Sequence, residues 1–262
     1  MALLPHPARS FLKHLLQAGS RHAVHSPFVY SLVDNALRTT TPPKETADIE
    51  HLRNALLANM DLVSVTDLGA GSRTASSTQR RIRDIARTAL KPRRQAEQLA
   101  RIARYFRPRT MLELGTSLGI TALHLSRAVP EARLHTVEGC PQIGAVAQGN
   151  FRKLGAGNIS LHIGAFKDQL PRVLSGLSQL DFAYIDGHHA KEPTLAYFEQ
   201  CLAKAHNDTV FIFDDIHWSE GMEEAWALIK DHSRVTVTID LFHFGLVFLR
   251  REQQKEHFRL RY

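Results

Sequence analysis

Two acidic, glycine-containing segments have the composition of nucleotide-binding loops: VTDLGAGSR at 65–73 and MLELGTSLGIT at 111–121. A cofactor loop of this kind follows a strand, opens a helix and precedes, by about 20 residues, an acid that accepts hydrogen bonds from ribose hydroxyls. Only the second loop meets all three conditions, because Glu138 ends the next predicted strand. The sequence therefore predicts a cofactor site on the second loop, and Asp67 to Arg73 as a loop of the N-terminal segment.

The residues of the second loop suit close contact with a ligand. Gly115 and Gly119 let the backbone approach a bound molecule, because glycine has no side chain to obstruct it. The backbone amides of Thr116 and Ser117, together with the start of the following helix, can hold the carboxylate of an amino-acid moiety.

A second group of acids and histidines follows two predicted strands, in DFAYIDGHH (181–189) and VFIFDDIHW (210–218). We expect them to meet at the carboxyl edge of the sheet, where open α/β sheets bind ligands. Two interpretations stay open: they bind a metal and move protons, or they cap the helices that follow. The candidates are Asp186, His188, His189, Asp214, Asp215 and His217.

Each residue type in this group suggests a specific chemistry. Asp186, Asp214 and Asp215 supply the oxygen ligands that Mg²⁺ prefers, whereas a histidine among the ligands favours Mn²⁺ or Fe²⁺. A bound cation lowers the pKa of a substrate hydroxyl. His188 or His189 can act instead as the general base, since imidazole titrates near neutral pH.

Short β-branched runs that alternate with helical stretches predict a mostly parallel sheet from residue 110 onwards. The helices fill the first five gaps between strands. The last two strands are too close for a crossover helix, so they must form an antiparallel hairpin. The predicted strands are 110–115, 133–138, 159–164, 181–186, 209–215, 235–241 and 244–250.

The fold class is therefore α/β, a Rossmann-like seven-stranded, mostly parallel sheet with an antiparallel terminal hairpin and a helical N-terminal appendage. Residues 1–91 form the appendage and residues 92–262 the cofactor-binding domain. In the appendage, Ser26 followed by Pro27 is a strong helix start, because proline at the first helical position loses only an N–H that would be unpaired anyway.

Composition excludes several classes of protein. Hydrophobic residues make up 44% and charged residues 23%, values typical of globular proteins. The N-terminal segment lacks the pattern of a signal peptide, no apolar run approaches the length of a membrane span, and the two cysteines are far apart, so we expect a cytoplasmic location without a membrane partner.

The net charge of +7 has a local source, since residues 73–109 contain twelve Lys or Arg against two acids. Such a segment can bind nucleic acid. A solvated helix face is the favoured interpretation, because Leu99, Ile102 and Phe106 share one helical face and leave Arg101 and Arg104 on the opposite one.

Taken together, ELGTSLGIT, VEG, IDGHH and FDDIHW resemble the S-adenosylmethionine-dependent methyltransferases, specifically the catechol-type O-methyltransferases and their bacterial relatives. The resemblance covers about residues 92–250. It implies S-adenosyl-L-methionine as cofactor and transfer of its methyl group to a small molecule, with help from Mg²⁺ or another divalent cation. It leaves the substrate undefined, and a homodimer stays open.

Carried over by position, the resemblance gives site residues their roles. Asp186 matches the acid after the fourth strand, and the metal-binding Asp-Asn pair of the family corresponds here to Asp214-Asp215, which departs from the pattern. The matching cofactor residues are Glu113, Gly115 and Gly119 in the first motif, Glu138 for the ribose, and Gly164, Ala165 and Phe166 for the adenine; Asp186 is assigned to the cofactor site as well.

Two alternatives remain at this point. The first is a methyltransferase of RNA or another macromolecule that uses the basic segment 73–109. The second is a nicotinamide-dependent oxidoreductase, which shares the logic of loop and acid, although ELGTSLG departs from the G-x-G-x-x-G spacing.

Overall fold

The computed structural model describes residues 5–20, 24–66 and 79–261. The chain divides into two compact units: one is Asp34–Val173, and the other combines Met1–Val33 with Leu174–Tyr262. The loop predicted at Asp67 to Arg73 lies outside the described residues. The predicted domain boundary after residue 91 stays a prediction.

The unit Asp34–Val173 contains five helices, a short hairpin and three longer strands in its described part. Leu112 and Leu114 are fully buried, as expected for a parallel strand covered on both faces. The elements in chain order are α3 (Pro43–Ala58), β1 (Leu62–Ser64), β2 (Gln79–Arg81), α4 (Ile82–Ala89), α5 (Arg93–Phe106), β3 (Thr110–Leu114), α6 (Ile120–Ala128), β4 (Arg133–Glu138), α7 (Pro141–Lys153) and β5 (Ile159–Ile163), and α8 (Phe166–Ser175) begins in this unit.

The three longer strands of this unit are parallel and lie in the order β3-β4-β5. Because parallel strands need crossover connections, α6 and α7 occupy the two gaps, as predicted. The carboxyl ends of the strands therefore share one edge, which places Leu114 beside Val137 and Glu138 beside Ile163.

Charged contacts join α3 to α6 within the same unit. Arg127 binds both carboxylate oxygens of Asp48 at 2.9 and 2.7 Å, and His124 lies 3.2 Å from Glu50. The pKa of Asp48 is lowered, chiefly by its hydrogen bonds with Arg127. The third predicted helix of the appendage is thus present and fastened to the first crossover helix of the sheet.

The other unit carries the remaining elements. Its first helices, predicted from the sequence, are α1 (His6–Gln17) and α2 (Pro27–Leu32); the π-helical turn that follows, Val33–Leu37, belongs to the unit Asp34–Val173 except for its first residue. Ser26 caps α2 by accepting a hydrogen bond from the backbone N–H of Val29, which confirms the predicted helix start. The later elements are β6 (Leu180–Ile185), α9 (Lys191–Leu202), β7 (Ala205–Asp214), α10 (Glu220–Asp231), β8 (Val237–Asp240), β9 (Phe244–Phe248) and β10 (Glu256–Arg259).

The strands of this unit lie in the order β10-β8-β9-β7-β6. β6 and β7 are parallel, and β8 and β9 form the predicted antiparallel hairpin. The expectation of seven longer strands was one too few, because β10 pairs with β8 in parallel. Its sequence EHFR has a single apolar residue, so no alternating pattern marked it.

The last residue of β10 and the two residues after it contact the segment that follows α1. The backbone of Gly19 accepts from Arg261 and donates to Arg259, and it forms a parallel bridge with Leu260. Within the described part of the chain, every helix is too short or too polar to span a membrane.

Candidate active site

The loop between β3 and α6 has the strained backbone expected of a ligand-binding turn. Gly115 has φ of 104°, Ser117 of 48° and Gly119 of 85°. At Gly119 packing also favours glycine, because a Cβ atom would lie 2.5 Å from Cε1 of Phe151. The glycine at this position is therefore demanded by the loop conformation and by a neighbouring ring.

A chain of buried hydroxyls supports the loop from below. Thr136 donates to Glu113 Oε2 at 2.6 Å, and its hydroxyl lies 2.6 Å from that of Thr116. All three side chains are buried, and Glu113 is 0% exposed. Glu113 therefore lies beneath the loop and is linked to it by hydrogen bonds through the hydroxyls of Thr136 and Thr116.

Glu138 lies at the end of β4 and contacts the loop directly. Its Oε2 accepts from the backbone N–H of Ser117 at 2.8 Å, and its Oε1 accepts from that of Cys140 at 2.9 Å. Burial raises the pKa of this carboxyl, and the backbone donors of Cys140 and Ser117 act in the opposite direction. The carboxylate is therefore fixed in place beside the loop, as a ribose-binding acid must be.

The turn after β5 lies beside the end of β4. Gly164 has φ of 139°, and its N–H donates to the backbone oxygen of Glu138 at 2.9 Å. The carbonyl of Ala165 accepts from Asp168, which starts α8, and Phe166 is half-buried at the first position of this helix. The predicted adenine-binding residues thus lie next to the predicted ribose acid.

Acidic side chains meet at the ends of β6 and β7 in the other unit. The hydroxyl of Tyr184 lies 2.9 Å from Oδ2 of Asp186 and 3.2 Å from Oδ1 of Asp214. Asp214 is 1% exposed. Tyr184 was not singled out in the sequence, although it stands two residues before Asp186 and strand alternation turns both side chains to one face.

The two histidines after β6 have different partners. His188 has φ of 62° and His189 of 33°, so both occupy the left-handed region. Nε2 of His189 lies 3.5 Å from Oδ1 of Asp186, whereas Nδ1 of His188 lies 2.6 Å from the hydroxyl of Tyr197. His189 therefore faces the carboxylates, and His188 stacks on Tyr197.

These positions define a set of candidate metal ligands. Asp186, His189 and Asp214 each offer one ligand atom, and these atoms lie within 4.8 Å of one another. Two carboxylate oxygens and an imidazole nitrogen fit a divalent cation. Asp215 is not in the set found among the described residues; it has φ of 49° and its N–H donates to the carbonyl of His243.

His217 is also absent from this set, although the sequence placed it beside the acids. Its Nε2 lies 3.0 Å from Oδ2 of Asp240, and its Nδ1 lies 2.8 Å from Oε1 of Glu223. Asp240 and Glu223 were not predicted as partners of His217. They lie on β8 and α10, and no sequence motif links either position to His217.

Comparison with known families agrees with this arrangement. Residues 112–216 match a family described as a methyltransferase domain. The matched segment begins in β3 and ends just after β7, so it includes the glycine loop, Glu138, Asp186 and Asp214. The resemblance to methyltransferases that the motifs indicated is therefore confirmed.

Two curated relatives are catechol O-methyltransferases. The protein from Niastella koreensis is 30% identical over 125 residues, which are 47% of this chain and 56% of that relative. The Mus musculus protein is 30% identical over 122 residues, which are 44% of this chain and 45% of the relative. The chain thus spans about half the length of the curated relatives it matches.

Solved structures confirm the fold. An O-methyltransferase from Bacillus cereus, determined in complex with SAH, superimposes with a TM-score of 0.58 at 18% identity and covers 85% of this chain and 97% of that one. The Rossmann-like α/β fold predicted from the sequence is therefore correct.

Proposed function

We propose that this protein is an S-adenosylmethionine-dependent O-methyltransferase that acts on small molecules. The observation that carries the proposal is the contact between Glu138 and the Ser117 amide, inside a segment that matches a methyltransferase family. The same match favours this function over a nicotinamide-dependent oxidoreductase.

In this proposal the unit Asp34–Val173 binds the cofactor. Glu138 accepts hydrogen bonds from the ribose hydroxyls. The amides of Thr116 and Ser117, expected to hold the methionyl carboxylate, already donate to Val137 and Glu138, so the start of α6 takes that role. Gly164, Ala165 and Phe166 line the adenine side. Glu113 and Thr116 hold the loop in shape.

The carboxylates after β6 and β7 orient the methyl acceptor. When bound, the cofactor would supply an electrophilic methyl group, and Asp186, His189 and Asp214 would hold a divalent cation that would acidify the acceptor hydroxyl. The imidazole in this set favours Mn²⁺ or Fe²⁺ over Mg²⁺. Methyl transfer then needs orientation and deprotonation, without a covalent intermediate.

His188 is suited to receive the acceptor proton. In the tautomer whose Nδ1–H donates to the Tyr197 oxygen, Nε2 carries the basic lone pair. Burial raises the pKa of Tyr197, so this phenol stays protonated and holds the ring in one orientation. His189, which faces Asp186, serves as ligand instead.

A calorimetric titration with S-adenosylhomocysteine tests the cofactor part. We expect micromolar binding by the wild type and at least a tenfold loss in Glu138→Ala. Glu131→Ala, at an exposed position before the same strand, is the control and should bind normally. Absence of binding by the wild type would refute the proposal.

Methyl transfer to catechol, followed with radiolabelled cofactor, tests the acceptor part. Mn²⁺ should stimulate the wild type, and Asp214→Asn should abolish the stimulation. The control is Asp208→Asn, an exposed acid on the same strand. Cofactor binding without methylation of any hydroxylated acceptor would contradict O-methylation while leaving the cofactor assignment intact.

The basic segment gives little support to a nucleic-acid partner in its described part. Arg93 pairs with Glu97, Arg104 pairs with Glu45, and Arg101 donates to the carbonyl of Ala36. These arginines support the helices on which they lie. A small-molecule acceptor is therefore preferred, and a cytoplasmic location and a homodimer stay predictions.

A further inference from the structure

Three buried side chains outside the proposed active site form a second cluster suited to a metal ion. His14 lies on α1, His217 follows β7, and Asp240 ends β8; they are 3%, 8% and 4% exposed. One ligand atom of each lies within 4.8 Å of the others. Nδ1 of His14 is 3.3 Å from Oδ1 of Asp240, and Nε2 of His217 is 3.0 Å from Oδ2.

The outer nitrogen of each histidine already has the partner that metal-bound histidines use. Nδ1 of His217 lies 2.8 Å from a carboxylate oxygen of Glu223, and Nε2 of His14 lies 3.3 Å from the carbonyl oxygen of Leu260. A ligating histidine almost always donates its other N–H to a carboxylate or backbone carbonyl, which turns the inner lone pair towards the ion.

An independent observation concerns the inner nitrogen of His14. Although Nδ1 is near Asp240, it is buried and makes no hydrogen bond of acceptable geometry with any described residue. A buried polar atom without a partner is costly, and an ion is one of the few features that explain it. The atom lies within 4.8 Å of the candidate ligand atoms of His217 and Asp240.

A proton shared by Asp240, His217 and Glu223 would satisfy His217 alone. Such a proton would leave Nδ1 of His14 without a hydrogen bond. A metal ion, in contrast, would be bound by Nδ1 of His14, Nε2 of His217 and a carboxylate oxygen of Asp240. With His217 neutral, the carboxylates of Asp240 and Glu223 outnumber the guanidinium of Arg259, which lies 3.1 Å from Asp240; His6 lies 3.7 Å from Glu223. A cation bound by the imidazoles would take the place of a proton on His217 as the balancing charge.

We propose that His14, His217 and Asp240 bind a Zn²⁺ ion that fastens α1 to the ends of β7 and β8. Two imidazoles and one carboxylate are a zinc ligand set, with a fourth position for water. This site differs from the Asp186, His189 and Asp214 set, and the inference is independent of methyl transfer.

Titration of the chelator-treated full chain with Zn²⁺ tests the proposal, with Co²⁺ as a visible-absorption probe. We expect binding with a dissociation constant below micromolar, and its loss by at least a hundredfold in His14→Ala. Glu223→Ala should weaken binding about 10- to 100-fold, the usual effect of removing an outer partner. Asp214→Asn should retain it, which separates the two metal sites.

Matched controls are available on the same or nearby helices. Glu220→Ala, on α10 with an 82% exposed side chain, and His51→Ala, exposed on α3, should bind Zn²⁺ like the wild type. Unchanged affinity in His14→Ala, or wild-type binding no tighter than millimolar, would overturn the proposal. If His14→Ala fails to fold, zinc K-edge absorption of the wild type decides, because the site requires scattering from two imidazoles.

Discussion

The backbone N–H of Ser117 donates a 2.8 Å hydrogen bond to the carboxylate of Glu138. The loop after β3 and the end of β4 are thereby held in one geometry before any ligand arrives. Preorganisation of this kind reduces the ordering cost of binding. It also makes cofactor affinity depend on the charge of a single half-buried carboxyl.

Cofactor binding should therefore weaken in mildly acidic solution. Burial raises the pKa of Glu138, so its ionised form is fully present only above that raised value and is lost as the pH falls through it. Protonation removes the charge that accepts ribose hydrogen bonds. Titrations with S-adenosylhomocysteine between pH 5 and 8 should show this decline in the wild type and a flatter, weaker profile in Glu138→Gln. An equally steep decline in the variant would assign the effect to another group.

Gly119→Ala should destabilise the protein by about 1–3 kcal/mol, because overpacking and a positive φ both oppose the added methyl group. The new Cβ would meet the ring of Phe151 at 2.5 Å. Gly149→Ala is the matched control, since that helical position has open space around it and should gain about 0.5–1 kcal/mol. Urea unfolding measures both, and addition of Phe151→Leu should recover part of the loss at Gly119. Equal stabilities for the two alanine variants would contradict this account.

Two histidines on neighbouring strands should make stability depend on pH. Nδ1 of His135 lies 3.1 Å from Nε2 of His162; burial lowers the pKa of His135, with repulsion from His162 adding to it, and burial lowers the pKa of His162. The unfolded chain then binds protons more readily than the folded chain. The free energy of unfolding is thus fully retained above the ordinary histidine pKa of about 6.5 and declines as the pH falls below it.

Urea unfolding at pH 5, 6 and 7.5 measures this decline. His162→Gln should reduce the difference between pH 5 and 7.5, whereas His51→Gln, at an exposed position on α3, should not. A profile that His162→Gln leaves unchanged would place the pH dependence elsewhere.

Tyr184→Phe should lower the free energy of unfolding by about 1–3 kcal/mol without metal, because the buried carboxylate of Asp214 and the half-buried one of Asp186 lose the hydroxyl between them. The hydroxyl lies 2.9 Å from Asp186 and 3.2 Å from Asp214. Added Mn²⁺ should reduce the loss by replacing the donor. Tyr30→Phe, which removes a hydroxyl from an exposed side chain, is the control. A variant as stable as the wild type in the absence of metal would show that the hydroxyl does not hold the carboxylates.

The sequence predicted those features that depend on local order along the chain. The start of α2 at Ser26 and the β8–β9 hairpin follow from capping chemistry and from a short connection. Glu138 was predicted because strand, loop and acid recur at a fixed spacing. The predicted strand ends also indicated which loops would carry the candidate metal ligands.

Features that depend on side-chain direction or distant contacts were less accessible. Adjacent Asp214 and Asp215 look equivalent in the sequence, yet the left-handed backbone of Asp215 separates it from the set that His189 joins. The cluster of His14, His217 and Asp240 joins positions more than 200 residues apart, which no local pattern encodes. β10 is polar and short, so its composition does not predict a strand. It is a strand because it pairs with β8.

The contact between Gly119 and Phe151 affects how glycine motifs are interpreted across related sequences. Selection that preserved only the fit of an aromatic ring against this turn would keep the glycine even in a homologue that had lost its ligand. The fingerprint can therefore outlive the activity it is used to detect. In such sequences the acid at the position of Glu138 is the better indicator of cofactor binding. Its carboxylate contacts the loop and the proposed ligand, and no neighbouring ring requires it.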